Sequence, residues 1–139
     1  MIAGTNCRKI VGGHATGAAL ITNERINFLS MINQENGIVE DNQHELFGSP
    51  VKNTVLIFPG SIGSSVGAYS IFSLKMNLCA PAAIICMGKA DIVTASGCAI
   101  SNIPLVDKLD NTSFIAIKPG MQVNVDADES LVSIRSPTV

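Results

Sequence analysis

The sequence predicts a mixed α+β fold, rich in strand and carrying one main helix, and three observations predict it. Residues 54–58 and 82–87 are continuous apolar runs bounded by proline or glycine, the mark of strands buried on both faces. Between them, Ala68, Ile71, Phe72, Leu74 and Leu78 recur at three- and four-residue spacings, which lays them along one side of a helix. From Ser113 onward, short apolar stretches alternate with turn residues, the pattern of consecutive antiparallel strands.

In chain order, residues 8–22 alternate small and apolar side chains around Gly12, Gly13 and Gly17, which suits two short strands joined or bent at glycines. Residues 26–29 read as a strand. Asn33-Gln34-Glu35-Asn36-Gly37 reads as a turn, and Ile38-Val39 as the start of a return strand, so a hairpin is expected. Residues 41–50 read as a polar loop. The run 54–58 is expected to be a central strand, stopped by Pro59-Gly60, and after Ser61-Ile62-Gly63 the main helix begins at Ser64 and ends within 77–81. Residues 82–87 and 103–106 give two more buried strands, with a short helix or tight crossover at 90–102 between them, a β-α-β unit with an appendage. Residues 114–117, Lys118-Pro119-Gly120, Val123, Val125 and 131–134 are read as a closing β-meander. No internal repeat or linker interrupts the chain, so residues 1–139 are expected to form one domain.

Composition excludes several functions. Charged residues are 14% of the chain and the net charge is −2, with Arg8-Lys9 the one adjacent basic pair, so no basic stripe exists to neutralise a run of phosphates. One Tyr, five Phe and no Trp give no series of platforms for stacking bases. Nucleic acid is not expected as a partner. The N-terminus lacks a basic start followed by an apolar export segment, and the longest apolar run, residues 79–87, is far short of the ~20 residues that span a bilayer. A cytoplasmic protein without membrane contact is expected. Hydrophobic residues reach 47%, and so few charges to cover the outside hint at a surface buried against a partner. Cys7, Cys79, Cys86 and Cys98 show no Cys-x-x-Cys spacing, and three of them sit among Ala, Ile and Leu. They read as buried thiols, not metal ligands.

One constellation carries chemistry. Strand, Pro-Gly, Gly63-Ser64-Ser65, helix places two hydroxyls and unpaired backbone N–H groups at a helix N-terminus. There the helix dipole favours negative charge on Ser64 Oγ, and the serine could act as a base. Serine is also among the best helix N-caps, so plain capping is the competing reading. The turn lacks the lysine of a phosphate-binding loop, and it does not fit a Gly-x-Ser-x-Gly nucleophile elbow. His14 and His44 have no acidic or cysteine partners at metal-ligand spacing and are read as hydrogen-bonding residues. Gly12-Gly13-His14 is not followed by a helix, which removes a dinucleotide-loop reading. Glu40, Asp41 and Glu45 could gather as a carboxylate cluster, but a solvated loop is the preferred reading.

The landmarks Gly17-Ala18-Ala19-Leu20, Ile26-Asn27-Phe28-Leu29, Val55-Leu56-Ile57-Phe58-Pro59, Gly63-Ser64-Ser65, Ala80-Pro81-Ala82-Ala83-Ile84-Ile85, Ser96-Gly97-Cys98-Ala99-Ile100 and Ile103-Pro104-Leu105-Val106 together resemble the small subunit of the aconitase X family. The resemblance covers nearly the whole chain. It implies a swivelling β/β/α domain like the detached fourth domain of aconitase, acting as the small subunit of a heterodimeric hydro-lyase. It also implies that Ser64 is the catalytic proton acceptor, with Gly63 and Ser65 lining the substrate's anion pocket. An iron–sulfur cluster, held by the large subunit and not by this chain, would take the leaving hydroxyl of a small hydroxy-acid substrate. An Arg commonly precedes Gly-Ser-Ser in the family where this chain has Ile62, so the cationic contact to substrate is expected from the partner. Two substrates are implied, mevalonate 5-phosphate, which is favoured, and cis-3-hydroxy-L-proline.

Two readings from other classes accompany this one. Phosphohistidine carriers share the swivelling architecture and place a histidine after a Gly-Gly pair, as His14 follows Gly12-Gly13. A non-catalytic module docking through its charge-poor surface is the other.

Overall fold

The computed structural model describes residues 2–135. Within them the elements run β1 (Ile2–Asn6), β2 (Arg8–Val11), β3 (His14–Ile21), β4 (Val55–Phe58), α1 (Val66–Met76), β5 (Ala83–Cys86), α2 (Ile92–Ser101), β6 (Leu105–Asp107), α3 (Asn111–Ala116), β7 (Gln122–Asp126) and β8 (Leu131–Arg135). The strands form one mixed sheet in the order β1-β8-β7-β3-β4-β5-β6-β2. Its middle, β3-β4-β5-β6, is parallel, as crossover connections through residues 22–54, α1 and α2 allow, and its flanks are antiparallel.

β3 joins the two regimes. Its first part, His14 to Ala18, pairs antiparallel with β7, and Ala19 to Ile21 pair parallel with β4. The sheet also rolls up. β1 and β2 stand at opposite edges, yet only Cys7 separates them in the chain, and two virtual bonds of 3.80 Å cannot hold those edges far apart. The β2 edge is clamped by Arg8, whose Nε and Nη2 donate to the carboxylate of the fully buried Asp107 at 2.8 and 2.6 Å. Burial pushes the Asp107 carboxyl up, but the bonds from Arg8 and the Ala90 N–H outweigh it and hold it below the ordinary range.

Each central strand serves two cores, because successive side chains leave opposite faces. Val55, Ile57, Ala83, Ile85 and Val106 point into the roll and meet Val123, Val125, Val132 and Ile134. Leu56, Phe58, Ile84, Cys86 and Leu105 point outward to Ile71 and Leu74 of α1, Cys98 of α2, and Ile26, Phe28, Ile32 and Val39 from the long connection between β3 and β4. Phe28 and Phe58 meet edge to face, centroids 5.8 Å apart.

The mixed fold, the buried strands at 54–58, 82–87 and 103–106, the main helix after Gly63-Ser64-Ser65 and a helix within 90–102 agree with the sequence reading. Three expectations are corrected and one strand is added. Residues 26–29 are not a strand: Ile26 makes one parallel bridge with Ser61, and Asn27 Oδ1 accepts the Leu29 and Ser30 N–H groups, which bends the chain into a turn. The expected hairpin shrinks to single bridges, Ile32 to Val39 and Ile38 to Pro50. Residues 114–117 fall mostly in α3, not in a strand, because Asp110 caps a helix there by accepting the Ser113 N–H at 2.8 Å. β1, not anticipated as a strand, pairs with β8. Among the described residues no helix is long and apolar enough to cross a membrane.

Candidate functional site

The parallel strands β4 and β5 end beside one another, and the loops that follow them form the site, as is usual at the carboxyl ends of parallel strands. The chain leaves β4 through Pro59-Gly60, pairs briefly with Ile26, and reaches Gly63 at φ +103°, a conformation that glycine alone adopts cheaply. A β-carbon on Gly63 would also lie 2.5 Å from Asn27 Nδ2, so Gly63 is required both by its dihedral and by its neighbour.

Ser64 and Ser65 follow, both exposed. The capping reading fares poorly for both. Ser65 occupies the N-cap position of α1 but in helical geometry, with no side-chain cap bond. The Ser64 hydroxyl receives the Val66 N–H at 3.4 Å, beyond the usual range for such a bond. The first turn is closed instead by backbone bonds, Gly67 N–H to the Ser64 carbonyl and Ala68 N–H to the Ser65 carbonyl, each 3.1 Å. The N–H groups of Gly63, Ser64 and Ser65 meet no acceptor among the described residues, which leaves donors at the positive end of α1 for a bound anion.

Asp91 fixes the turn from the side of α2. Its Oδ2 caps that helix by accepting the Thr94 N–H at 3.0 Å, and its Oδ1 accepts the Ser61 N–H at 2.9 Å and the Thr94 hydroxyl at 2.8 Å. Burial raises the Asp91 pKa, but these three bonds outweigh it and hold the carboxyl below its ordinary value. Gly60 leaves room for this contact, since a β-carbon there would lie 2.6 Å from Asp91 Oδ1.

The segment Arg25-Ile26-Asn27 walls the other side. Arg25 Nη1 donates to the Ser61 carbonyl at 3.3 Å. Behind it His44 is buried. Its Nδ1 accepts the Leu46 N–H at 3.0 Å, so the ring proton sits on Nε2 and donates to the Arg25 carbonyl at 3.2 Å. Glu24 lies 3.6 Å from the same Nδ1. His44 is thus the hydrogen-bonding residue expected of it. Glu45 accepts from the Thr22 hydroxyl and the Asn23 N–H, which lower its pKa. It does not form a cluster with Glu40 and Asp41.

His14 is exposed at the start of β3. It heads a strand, so no helix N-terminus is there to hold a phosphate, and the carrier reading finds no support. Cys79, Cys86 and Cys98 are buried in the outer core. Burial pushes Cys98 up and Cys86 up to about 12, while Cys7 is raised to about 11. Thiols held protonated by apolar packing are poor donors to iron, and no three His, Cys, Asp or Glu side chains gather among the described residues. The side chains present do not fit an iron–sulfur cluster.

The structure joins Gly63, Ser64 and Ser65 in one turn, and it adds Arg25, Asn27 and Asp91, which the sequence reading passed over. Asp91 was detectable as an Asp three residues before Thr94 at a helix start. Arg25 and Asn27 had no local signal, since they reach the turn through a pairing across the whole β3–β4 connection.

A mixed sheet rolled around one core, helices over its outer face, and a glycine-serine turn heading the first of them define a swivelling β/β/α domain. The chain belongs to the aconitase X swivel domain family, whose pattern it matches over residues 4–134. It is 43% identical over 133 residues to the phosphomevalonate dehydratase small subunit of Methanothrix thermoacetophila, covering 96% of each chain. It is 42% identical to the protein of that name from Thermococcus kodakarensis, covering 91% of this chain and 92% of that one. Among solved structures it resembles Thermococcus kodakaraensis aconitase X in its holo form, with a TM-score of 0.88 at 40% identity over 96% of this chain and 99% of that one. A UPF0107 protein solved by NMR superposes with a TM-score of 0.87 at 42% identity, covering 96% of this chain and 100% of that one.

Proposed function

We propose that this chain, acting as one domain of 139 residues, is the small subunit of a cytoplasmic heteromeric hydro-lyase. The enzyme converts mevalonate 5-phosphate to trans-anhydromevalonate 5-phosphate, with Ser64 as the proton acceptor. The end-to-end likeness to proteins named phosphomevalonate dehydratase small subunit supports the substrate. The observation that carries the role of Ser64 is its exposed hydroxyl, free of a strong cap bond, at the head of α1.

Ser64 Oγ would take the proton from the carbon next to the carboxylate. The electron pair of that C–H bond becomes the new C=C bond, and the hydroxyl on the neighbouring carbon departs, so that water is lost overall. Gly63 and Ser65 N–H groups lie where a substrate oxyanion can be received. The electrophile that assists the hydroxyl, an iron–sulfur cluster in this reading, is assigned to the large subunit. Docking of that subunit is supported by Val66, Tyr69, Phe72 and Met76, exposed apolar residues of α1, the same helix that Ser64 precedes.

The test is co-expression with the large subunit, then turnover of mevalonate 5-phosphate and of cis-3-hydroxy-L-proline. Turnover of the first is expected. Ser64→Ala should cut kcat by about 10²–10⁴, the worth of a positioned general base, without loss of the complex, and Ser65→Ala should be milder. A fully active Ser64→Ala complex, or turnover of the proline alone, overturns the corresponding assignment.

A further inference from the structure

We propose that Arg25 is the substrate-binding cation of this subunit and receives an oxyanion of the substrate beside the Gly60 to Ser64 turn. The inference rests on the dehydratase reading only for the identity of the ligand.

The backbone sets the geometry. Ile26 N–H donates to the Gly60 carbonyl at 3.2 Å, and Ile62 N–H returns to the Ile26 carbonyl at 3.0 Å. Ile26 is sunk in the outer core. In an extended segment its neighbours must face the other way, and both do so against the turn. Arg25 Nη1 lies 3.0 Å from where a Gly60 β-carbon would stand, and Asn27 Nδ2 lies 2.5 Å from the equivalent point on Gly63.

The guanidinium has five N–H donors. Its one hydrogen bond among the described residues is the 3.3 Å contact to the Ser61 carbonyl, and no described carboxylate comes within 4.0 Å of it. Asp91 Oδ1 approaches the same Gly60 β-carbon position, at 2.6 Å, but Asp91 already accepts the Ser61 N–H, the Thr94 N–H and the Thr94 hydroxyl. Arg25 is also held in place. The buried His44 donates to its carbonyl, and Glu24, the preceding residue, accepts the Glu45 N–H at 2.8 Å. An exposed cation fixed through its backbone, with donors to spare beside unpaired N–H groups, suits carboxylate or phosphate, which Arg binds through two parallel bonds. Arg25 thus takes up the charge that Ile62 cannot supply.

The proposed substrate carries both kinds of oxyanion, a carboxylate next to the carbon that loses its proton and a phosphate at the far end. The test uses the two-subunit complex with Arg25→Gln and Arg25→Lys. Arg25→Gln is expected to raise KM by about tenfold or more, the scale of a lost charged hydrogen bond, with a much smaller change in kcat, and Arg25→Lys to recover part of the loss. Independently of turnover, inorganic phosphate and acetate serve as probes of the melting temperature of the complex. A stabilisation by either that disappears in Arg25→Gln supports the proposal, and the probe that loses its effect names the group bound. If the wild-type complex fails to dehydrate mevalonate 5-phosphate, the functional reading falls while the anion probes still decide the role of Arg25. Unchanged KM, or unchanged response to both probes, in a folded Arg25→Gln complex overturns it.

Discussion

The inner and outer faces of β4 share a strand but not a task. Ile57 points into the roll, where aliphatic side chains from the surrounding strands enclose one another. Phe58, the next residue, points outward and packs on Phe28, whose neighbour Asn27 lies against Gly63. The inner core is walled by strands and closed at one end by Leu109, Phe114 and Ile117 in and around α3. The outer core is closed by helices and by a long connection rich in turns, and the candidate site is built from those pieces. One strand thus serves packing alone on one face and supports the candidate site on the other.

Paired substitutions test that division. Phe58→Ala should be the most damaging, about 3–5 kcal/mol in the stability of the chain. The two-subunit complex that still folds should also show raised KM, because Phe28 and the segment before it lose their support. Ile57→Ala should cost about 2–5 kcal/mol and leave the KM of the folded complex unchanged. Urea midpoints and steady-state kinetics on the same samples measure both. An equal change in KM for the two would break the distinction between the faces.

Asp91→Ala should have the smallest effect on stability, about 0.5–2 kcal/mol for the lost cap. It should disturb turnover beyond that, since Ser61 loses its acceptor. Its pH dependence has a definite sign. A carboxyl held below its ordinary 3.8 in the folded chain contributes stability above that value and loses it as pH falls through the folded pKa. The wild-type advantage over Asp91→Ala should therefore be full at neutral pH and shrink as the solution is acidified below 3.8, as compared by urea midpoints. A gap that is constant with pH would show that the cap acts without its charge.

Much of this was legible in the sequence wherever one strand or one helix made its own case. Residues 55–58, 83–86 and 105–106 are apolar throughout because both their faces are buried, and the spacing of Ala68, Ile71 and Leu74 follows the side of α1 that is buried, whereas Phe72 is exposed and Leu78 lies exposed beyond the helix end. What failed depended on distant partners or on one polar atom. Phe114 and Ile115 have strand-like side chains, yet the Asp110 cap starts a helix there. Residues 26–29 have strand propensity, yet the Asn27 side chain captures the backbone. Gly63-Ser64-Ser65 stood out as a motif, but whether it was a cap depended on hydroxyl contacts that spacing does not show. Arg25 was hidden because its contact to Ser61 crosses the long connection before β4.

The closure of the sheet at Cys7 has a consequence for synthesis. β1 is made well before its hydrogen-bonding partner β8, at the other end of the described residues, and β2 waits for β6. Both edges therefore emerge from the ribosome long before anything can cover them. Such distant pairing slows folding, and an uncovered edge invites intermolecular pairing meanwhile. The nascent chain is most vulnerable during translation, and a chaperone or partner that shelters its first strands should raise the yield of folded subunit more than any change within the finished core.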